Sequence, residues 1–169
     1  MRSETFEWAG PLVGPRVDTE VSGLAYLCGI RDGVVAPPQL GPLISAEIVE
    51  VARGRIQLIC SPSDSQFGLL RELDPGVANL LVNTAIGCVA RTLVGLRQGW
   101  ATAESQVSYL RQVSPRVGSL TATAEVVGSI GARTLVKGEL ADDRGRVLTS
   151  VSTILDVFDL EAGPRAATA

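Results

Sequence analysis

The sequence predicts a single α+β domain in which an antiparallel sheet curls around one long, enclosed helix. Three observations lead to this prediction. The stretch over residues 76–97 has no proline and is apolar on nearly every side, which is typical of a helix that other elements cover. Two strand candidates precede this helix and four follow it. The last two are separated by the segment from Asp142 to Gly145, which is typical of a β-hairpin turn.

Length and composition agree with one globular domain. The chain has 169 residues, of which 46% are hydrophobic and 20% are charged, so it holds enough apolar material for a single core. The net charge of −3 and the absence of any run of Lys and Arg argue against a nucleic-acid partner. The sequence has no histidine, which excludes Ser-His-Asp and Cys-His nucleophile systems and histidine-ligated zinc within the chain.

The cysteines, the first residues and the longest apolar stretch indicate where in the cell the protein is expected. Cys28, Cys60 and Cys88 are isolated, odd in number and without CxxC spacing, so we expect buried free thiols, no disulfides and no metal site. Residues 1–7 lack the apolar segment of a secretory signal, and we therefore expect a cytoplasmic protein. Residues 77–96 contain two asparagines and an arginine, which favours a buried helix over a membrane span.

The chain divides into a lead-in, a domain and a tail. We expect residues 1–21, rich in Pro and Gly, to be extended, residues 22–160 to form the domain, and residues 161–169 to be loose. A short helix begins the domain, with Ser22 as its N-cap and Gly33 as its stop.

Alternation of apolar and polar residues predicts the first two strands. Residues 44–51 and 55–60 form an antiparallel pair around a turn that ends at Gly54, and residues 61–73 form a loop.

The long helix then begins at Asp74-Pro75, because Asp is a favoured N-cap and Pro is favoured at the first helical position. Gly99 helps to end the helix. The strand candidates after the helix cover residues 101–113, 118–127, 133–141 and 146–157.

This succession of elements resembles the hot-dog fold, and the residues resemble those of the PaaI-type acyl-CoA thioesterases over residues 23–158. Four segments carry the resemblance in the right order. They are Gly23-Leu24-Ala25-Tyr26-Leu27 with Pro37-Pro38 after it, Leu80 to Cys88, Ser105 to Arg111, and the hairpin from Asp142 to Gly145.

The resemblance implies hydrolysis of an acyl thioester of coenzyme A or of an acyl carrier protein, at a site shared by two subunits. It implies no cofactor besides the coenzyme A that forms part of the substrate. The exposed edges of a curled sheet call for pairing, so we expect a homodimer, or a tetramer built from two dimers.

The resemblance also indicates the candidate catalytic residues. The family carries Asn-Pro-x-Gly and then His-Gly-Gly before the helix, and an Asp on the helix. These positions fall on Gly68-Leu69-Leu70-Arg71, on Asp74-Pro75-Gly76 and on Asn83, and only Gly76 is kept. Asn83 cannot act as a general base, because an amide is not basic, although it can hold a water or donate to an oxyanion.

Gly76 and Asp74 compete for one role at the start of the helix. Gly76 keeps the backbone N–H that the family directs at the thioester oxygen, near the positive end of the helix. Asp74 is also a catalytic candidate, but as an N-cap its carboxylate would bind that same N–H, and we weigh this structural role above a catalytic one.

Arg111, Ser129 and Arg133 are the candidates for binding coenzyme A, because PaaI-like proteins often meet the phosphates or pantetheine at these places. Arginine donates two parallel hydrogen bonds to a phosphate, and the backbone of Gly128 to Gly131 can approach a ligand closely. The alternative is that both arginines are ordinary surface residues.

Two functions follow. The first is a hot-dog thioesterase with an atypical site, in which Asn83 and the Gly76 N–H orient the water and the carbonyl. The alternative is a catalytically degenerate protein that binds acyl-CoA or acts as a scaffold, which the missing acid at residue 83 and the missing histidine at residue 74 favour. A hydratase is disfavoured because it needs an Asp-His type of pair.

Overall fold

The computed structural model describes residues 21–38, 40 and 44–160 of the chain. The predicted lead-in, apart from Val21, and the predicted tail lie outside the described residues. The main helices and strands of the described part are, in chain order, α1 Gly23–Arg31, β1 Ala46–Ala52, β2 Arg55–Cys60, α2 Pro75–Leu93, β3 Gln98–Tyr109, β4 Leu120–Ile130, β5 Arg133–Ala141 and β6 Val147–Asp159. The predicted loop over residues 61–73 contains one turn of 3-10 helix, Asp64–Gln66. The predicted bounds of β2 and β5 are confirmed.

The described strands form one antiparallel sheet in the order β1-β2-β4-β5-β6-β3. Three of the connections are hairpins, between β1 and β2, between β4 and β5, and between β5 and β6. Gly54 in the first turn has a φ of +77° and Gly131 in the second has a φ of +61°, a conformation that glycine adopts without steric cost. Among the described strands β3 pairs only with β6, so one side of β3 is a free edge.

The predicted hairpin from Asp142 to Gly145 is confirmed, and a buried carboxylate holds it together. Asp142 accepts hydrogen bonds from the backbone N–H groups of Arg144 and Arg146 at 3.0 and 2.9 Å. The guanidinium of Arg146 also pairs with it at 2.7 Å. The side-chain hydrogen bond from Arg146, helped by these backbone donors, holds the pKa of Asp142 below its usual value.

The central helix α2 packs against β2, β4, β5 and β6 and forms the middle of the core. Gly138 on β5 lets the helix come close, since a Cβ there would lie 2.6 Å from Cγ1 of Val82. The predicted enclosed helix and the α+β class are therefore confirmed. The fully buried residues of α2 are Ala78, Leu81, Val82, Ala85, Ile86, Val89, Ala90 and Thr92.

The predicted start of α2 is confirmed, whereas its predicted end is wrong. Asp74 is the N-cap and Pro75 is the first helical residue. The helix ends at Leu93 and not at Arg97, because Val94 adopts an extended conformation with a ψ of 135°.

A turn after Val94 accounts for the early start of β3. The side chain of Gln98 accepts a hydrogen bond from the N–H of Gly95 at 3.0 Å, and the backbone N–H of Gln98 bonds to the carbonyl of Gly95. Arg97 between them has a φ of +61°. The chain therefore enters β3 at Gln98, three residues before the predicted position.

The short helix α1 lies across α2 and β1. Ser22 caps it as predicted, because its side chain accepts a hydrogen bond from the N–H of Ala25 at 3.3 Å. The first residue of α1, Gly23, is buried against the backbone carbonyl of Arg91, and a Cβ at Gly23 would clash with that carbonyl and lie 2.8 Å from Cδ of Arg91. A glycine at this place lets the two helices touch.

By length and composition alone, α2 is also a helix that could cross a membrane. It is the one such helix in the described part of the chain, and 44% of its most apolar window is buried inside the domain. Its position under the sheet and α1 agrees with the prediction of a core helix.

Candidate functional site

A cavity of about 720 Å³ lies between α1, α2, β1 and the start of β3. Its walls are mainly apolar, and Leu27 and Leu58 belong both to these walls and to the core. Such concave apolar sites with a few polar groups are where small molecules usually bind. The lining residues that bear on function are Tyr26, Glu47, Asn83, Thr84, Cys88, Arg91 and Trp100.

One face of α2 supplies most of the polar wall. Asn83, Gly87 and Arg91 are spaced by four residues and so lie on the same side of the helix. The side chain of Asn83 is half-buried, and its Nδ2 donates a hydrogen bond to Oδ1 of Asn79 at 2.9 Å. No described residue donates to Oδ1 of Asn83, so this acceptor is free to hold a water molecule or a ligand group.

The other two predicted catalytic residues lie outside the cavity. Asp74 and Gly76 are exposed at the N-terminus of α2, and Gly76 precedes Asn83 by seven residues, which is about 10 Å along a helix. The Asp74 carboxylate accepts a hydrogen bond from the Gly76 N–H at 2.7 Å. The structure therefore brings Asp74 and Gly76 together as a helix cap and brings neither to the cavity walls.

The three predicted residues for coenzyme A lie at two ends of the sheet. Arg111 is two residues past the end of β3, and its guanidinium donates to the carbonyl of Val147 at the start of β6. Arg133 pairs with Asp156 near the end of β6, at 3.4 Å. Val147 and Asp156 are nine positions apart along β6, which corresponds to a distance of about 30 Å. One protomer does not bring Arg111 and Arg133 together.

Ser129 lies close to Arg133, but its side chain makes a hydrogen bond inside the β4–β5 hairpin. Its hydroxyl bonds to that of Thr134 at 2.9 Å. Both residues lie near the β4–β5 turn.

Arg111 has a different neighbourhood, close to a small polar recess of about 220 Å³ whose rim includes Arg116, Arg144 and Arg146. The carbonyl of Val113, in the wall of this recess, accepts the N–H of Leu73, the residue just before the cap of α2. The recess therefore lies at the N-terminal end of α2. The sequence analysis did not anticipate it.

Within the described part of the chain three charged residues line the cavity, and only one of them is half-buried. Arg31 is exposed and pairs with Asp32 at 2.8 Å, which lowers the pKa of Asp32 through the side-chain hydrogen bond. Glu47 is exposed on β1. Arg91 is half-buried and makes no ion pair or side-chain hydrogen bond with any described residue.

The cysteines of the described region are free thiols, and burial disfavours the thiolate form of Cys88, which lines the cavity. Burial raises the pKa of Cys88 to about 11, against a smaller opposite effect from the charge of Arg91. Burial likewise raises the pKa of Cys60 to about 12. A thiolate nucleophile is therefore not available at these positions.

Sequence reasoning did not identify Glu47, Arg91 or the two aromatic walls of the cavity. Glu47 stands in an alternating strand, where a polar residue normally faces solvent. Arg91 was visible as the cation inside a long apolar helix, eight residues after Asn83 and hence on the same face. Tyr26 belongs to α1, before α2 in the sequence, and Trp100 belongs to β3, after it. No local sequence pattern indicates that the two side chains line the same cavity.

Comparison with solved structures assigns the fold. A phenylacetic acid degradation-related protein from Ralstonia eutropha matches with a TM-score of 0.69 at 16% identity, over 78% of this chain and 98% of that one. The PaaI protein of Escherichia coli, from the phenylacetic acid degradation operon, matches with a TM-score of 0.68 at 12% identity, over 81% and 96% of the two chains. The chain has the hot-dog fold of the PaaI-type thioesterases. The resemblance predicted from the sequence is confirmed at the level of fold.

A third hot-dog structure, a hypothetical thioesterase protein from Streptococcus pneumoniae, was solved with coenzyme A. It matches with a TM-score of 0.61 at 18% identity, over 68% of this chain and 89% of that one. No protein-family model matches the sequence, and no curated protein is similar to it at a significant level. For this hot-dog protein, the function must therefore be argued from its own residues.

Proposed function

We propose that this protein hydrolyses acyl thioesters of coenzyme A or of an acyl carrier protein, with the acyl group in the cavity between α1 and α2. The observation that carries the proposal is the position of Asn83. It corresponds to the acidic helix position of the resembling family, and it lines a large cavity whose walls are otherwise mainly apolar. The fold supports the same reaction class, although a fold by itself can host several functions.

The cavity residues suggest how water would be activated. Glu47 is the carboxylate among the described cavity residues, and in this proposal it takes a proton from a water held by Oδ1 of Asn83. The water oxygen attacks the thioester carbonyl, the C–S bond breaks, and the proton passes from Glu47 to the departing thiolate. The products are a carboxylic acid and a thiol.

The developing negative charge on the carbonyl oxygen needs a hydrogen-bond donor. The Gly76 N–H is occupied by Asp74, so this donor serves a substrate only when the Asp74 side chain rotates away. Asn83 offers a second source, because an amide nitrogen has two N–H groups and Asn79 uses one of them. We assign the oxyanion contact to Asn83, because Gly76 lies outside the cavity walls and about 10 Å away along the helix.

A specific observation favours a second candidate function, binding of acyl-CoA without hydrolysis. The Asp74 carboxylate lies on the helix N-terminus, the place that the resembling family leaves open for the substrate oxygen. Residue 83 is an amide, and Glu47 is solvent-exposed. A protein that kept the fold and lost turnover would carry these same three features.

The test is thiol release from short, long and aromatic acyl-CoAs, with a no-substrate control for the three protein thiols. Glu47→Gln removes the proposed base and should lower the rate by about a hundredfold. Glu50→Gln is the matched control, since Glu50 is an exposed glutamate on the same strand and does not line the cavity. Asn83→Ala should also remove most of the rate.

Two results would contradict hydrolysis through this site. If both Glu47→Gln and Asn83→Ala keep the native rate, hydrolysis takes place at a site other than this cavity. A silent native protein that gains activity on Asn83→Asp would identify a thioesterase pocket without its base. Binding of a nonhydrolysable acyl-CoA thioether by that silent protein would then support the second candidate.

We extend the proposal to the coenzyme A moiety. Arg111 lies at the same end of α2 as Arg116 and Arg144, so these exposed arginines are candidates for the phosphates. Ser129 and Arg133 lie at the opposite end of the sheet, near Asp156 of β6. In this proposal they contact a coenzyme A molecule that is bound to a second copy of the chain. If the sheet end with Arg111 meets the sheet end with Arg133 of a second copy in a dimer, Arg111→Glu and Arg133→Glu should each raise the KM for acyl-CoA.

A homodimer formed through β3 is part of the same proposal. The free edge of β3 spans Gln98–Tyr109, and most of its residues are exposed in the single chain. Pairing with β3 of a second copy would satisfy that edge. Light scattering after gel filtration should give twice the 17.7 kDa of one chain, or four times that mass for a tetramer. A mass of one chain would contradict it.

We further propose that the protein works in the cytoplasm, where thiols remain reduced. Cys28, Cys60 and Cys88 are all free in the described structure. Fractionation of the source cells, followed with an antibody to the chain, would test this placement.

A further inference from the structure

We infer that the acyl group this cavity takes carries a second carboxylate at its far end, which Arg91 binds. The inference rests on the proposed function, because it names the class of acyl thioester for that site. It starts from Arg91, the one half-buried charge among the described residues of the cavity wall, which no described carboxylate neutralises.

Arg91 is held in place by its backbone surroundings and not by an ionic partner. Its carbonyl packs against Gly23 of α1, and the stem of its side chain passes over the same glycine. Arg31 already pairs with Asp32, and Glu47 lies beyond ion-pair distance from Arg91. A partly desolvated cation without a partner is unfavourable, so an arriving anion would gain from meeting it.

The spacing of Asn83 and Arg91 along α2 suits an acyl chain that lies between them. Asn83 and Arg91 are eight residues apart on one face of α2, about 12 Å between their Cα atoms. An extended chain advances about 1.2 Å per bond, so a medium-length chain fits between the two residues.

The end of the cavity near Arg91 is identified by the next residue along the helix. The hydroxyl of Thr92 accepts the N–H of Gly54 in the β1–β2 turn at 2.8 Å. Arg91 therefore belongs to the end of the cavity that lies toward this turn, whereas Asn83 lies two turns of helix earlier. An acyl chain with its thioester at Asn83 would present its terminal group to Arg91 across walls formed by Ile30 and Trp100.

A carboxylate suits this position because a guanidinium donates two parallel hydrogen bonds to its two oxygens. The rest of the chain must be apolar, since the walls are. The expected substrates are thus thioesters of medium-length dicarboxylic acids, in preference to the simple acyl thioesters of equal length.

The experiment compares adipoyl-CoA with hexanoyl-CoA, which have the same number of carbons. The native protein should favour adipoyl-CoA in kcat/KM, and Arg91→Met should lower the ratio of the two values by about tenfold or more. Arg91→Lys, which keeps the charge, should retain part of the preference. Arg55→Met is the matched control, because Arg55 is an exposed arginine of β2 that does not line the cavity, and it should leave the ratio unchanged.

A binding measurement separates this inference from the proposed hydrolysis. Trp100 lines the cavity, so in a Trp8→Phe background its fluorescence should report binding of monomethyl adipate, which carries one terminal carboxylate, and of methyl hexanoate, which carries none. Tighter binding of monomethyl adipate that Arg91→Met abolishes supports the inference even in a protein that hydrolyses nothing. Hydrolysis of hexanoyl-CoA with no preference for adipoyl-CoA overturns the inference and leaves the proposed function standing. Equal losses on both thioesters in Arg91→Met would mean that Arg91 contacts the coenzyme A moiety, which also overturns it.

Discussion

The carboxylate of Asp74 accepts a hydrogen bond from the backbone N–H of Gly76 at 2.7 Å, across the first turn of the central helix. This contact stabilises the helix start and at the same time covers the donor that the resembling family directs at its substrate. Stability and catalysis therefore make opposite demands on Asp74, and a single substitution can separate them.

Asp74→Ala should destabilise the protein and uncover the Gly76 N–H. Loss of an N-cap costs about 1 kcal/mol, so the free energy of unfolding in urea should fall by about that amount. If Gly76 serves the substrate, kcat/KM should rise in the same variant. Glu50→Ala, at an exposed glutamate of β1 that lines neither the cavity nor the recess, should change neither quantity. A more stable Asp74→Ala protein would contradict the capping role.

Gly23→Ala should weaken the packing of α1 on α2. The added Cβ would clash with the carbonyl of Arg91, which is backbone and cannot swing aside. Overpacking of this kind costs about 1–3 kcal/mol, and thermal unfolding would measure it. Gly128→Ala is the control, because a Cβ at Gly128 meets nothing within 4 Å. Equal melting temperatures for the two variants would show that α1 adjusts freely.

Asp142 should make the protein sensitive to acid. Its pKa is lowered in the folded state by the side-chain hydrogen bond from Arg146, so its contribution to stability is complete above the ordinary Asp pKa of about 4 and is lost as the pH falls through the lowered value. Unfolding in urea at neutral pH and near pH 3 would measure the loss. Asp142→Asn should be less stable at neutral pH and show a flatter pH profile, whereas Asp143→Asn should follow the native profile.

Cys88 should take no part in catalysis although it lines the cavity. With a pKa of about 11, roughly one thiol in ten thousand is ionised at pH 7. Iodoacetamide at neutral pH should leave Cys88 unmodified by mass spectrometry, and Cys88→Ala should retain native turnover. Rapid alkylation of Cys88 together with loss of activity would contradict this prediction and indicate that Cys88 acts as a nucleophile.

The local elements were predictable because their signals are short in range. Asp74 and Pro75 specify a helix start within two residues, and the turn from Asp142 to Gly145 specifies a hairpin within four. The alternation in β2 placed that strand at its observed bounds, and the turn-like segments on either side of β5 did the same for β5. Each of these features depends on backbone preferences and caps that act between near neighbours.

The end of α2 was not predictable in the same way. The apolar pattern continues past Leu93, but Val94 is extended and a turn between Gly95 and Gln98 redirects the chain into β3. Pairing of Gln98 with Asp159 in β6 joins residues far apart in sequence. Tertiary strand pairing overrides helix propensity there.

The sequence by itself determined the central helix, its capped start, the hairpins and the position of Asn83 on the helix face, since these follow from local periodicity and capping. Only the tertiary structure decided which residues share the cavity. It joined Tyr26 of α1, Glu47 of β1 and Arg91 of α2, and it separated Arg111 from Arg133 by the length of β6. The physical reason is that a cavity is made by side chains from elements that meet through packing, and packing partners leave no local trace in the sequence.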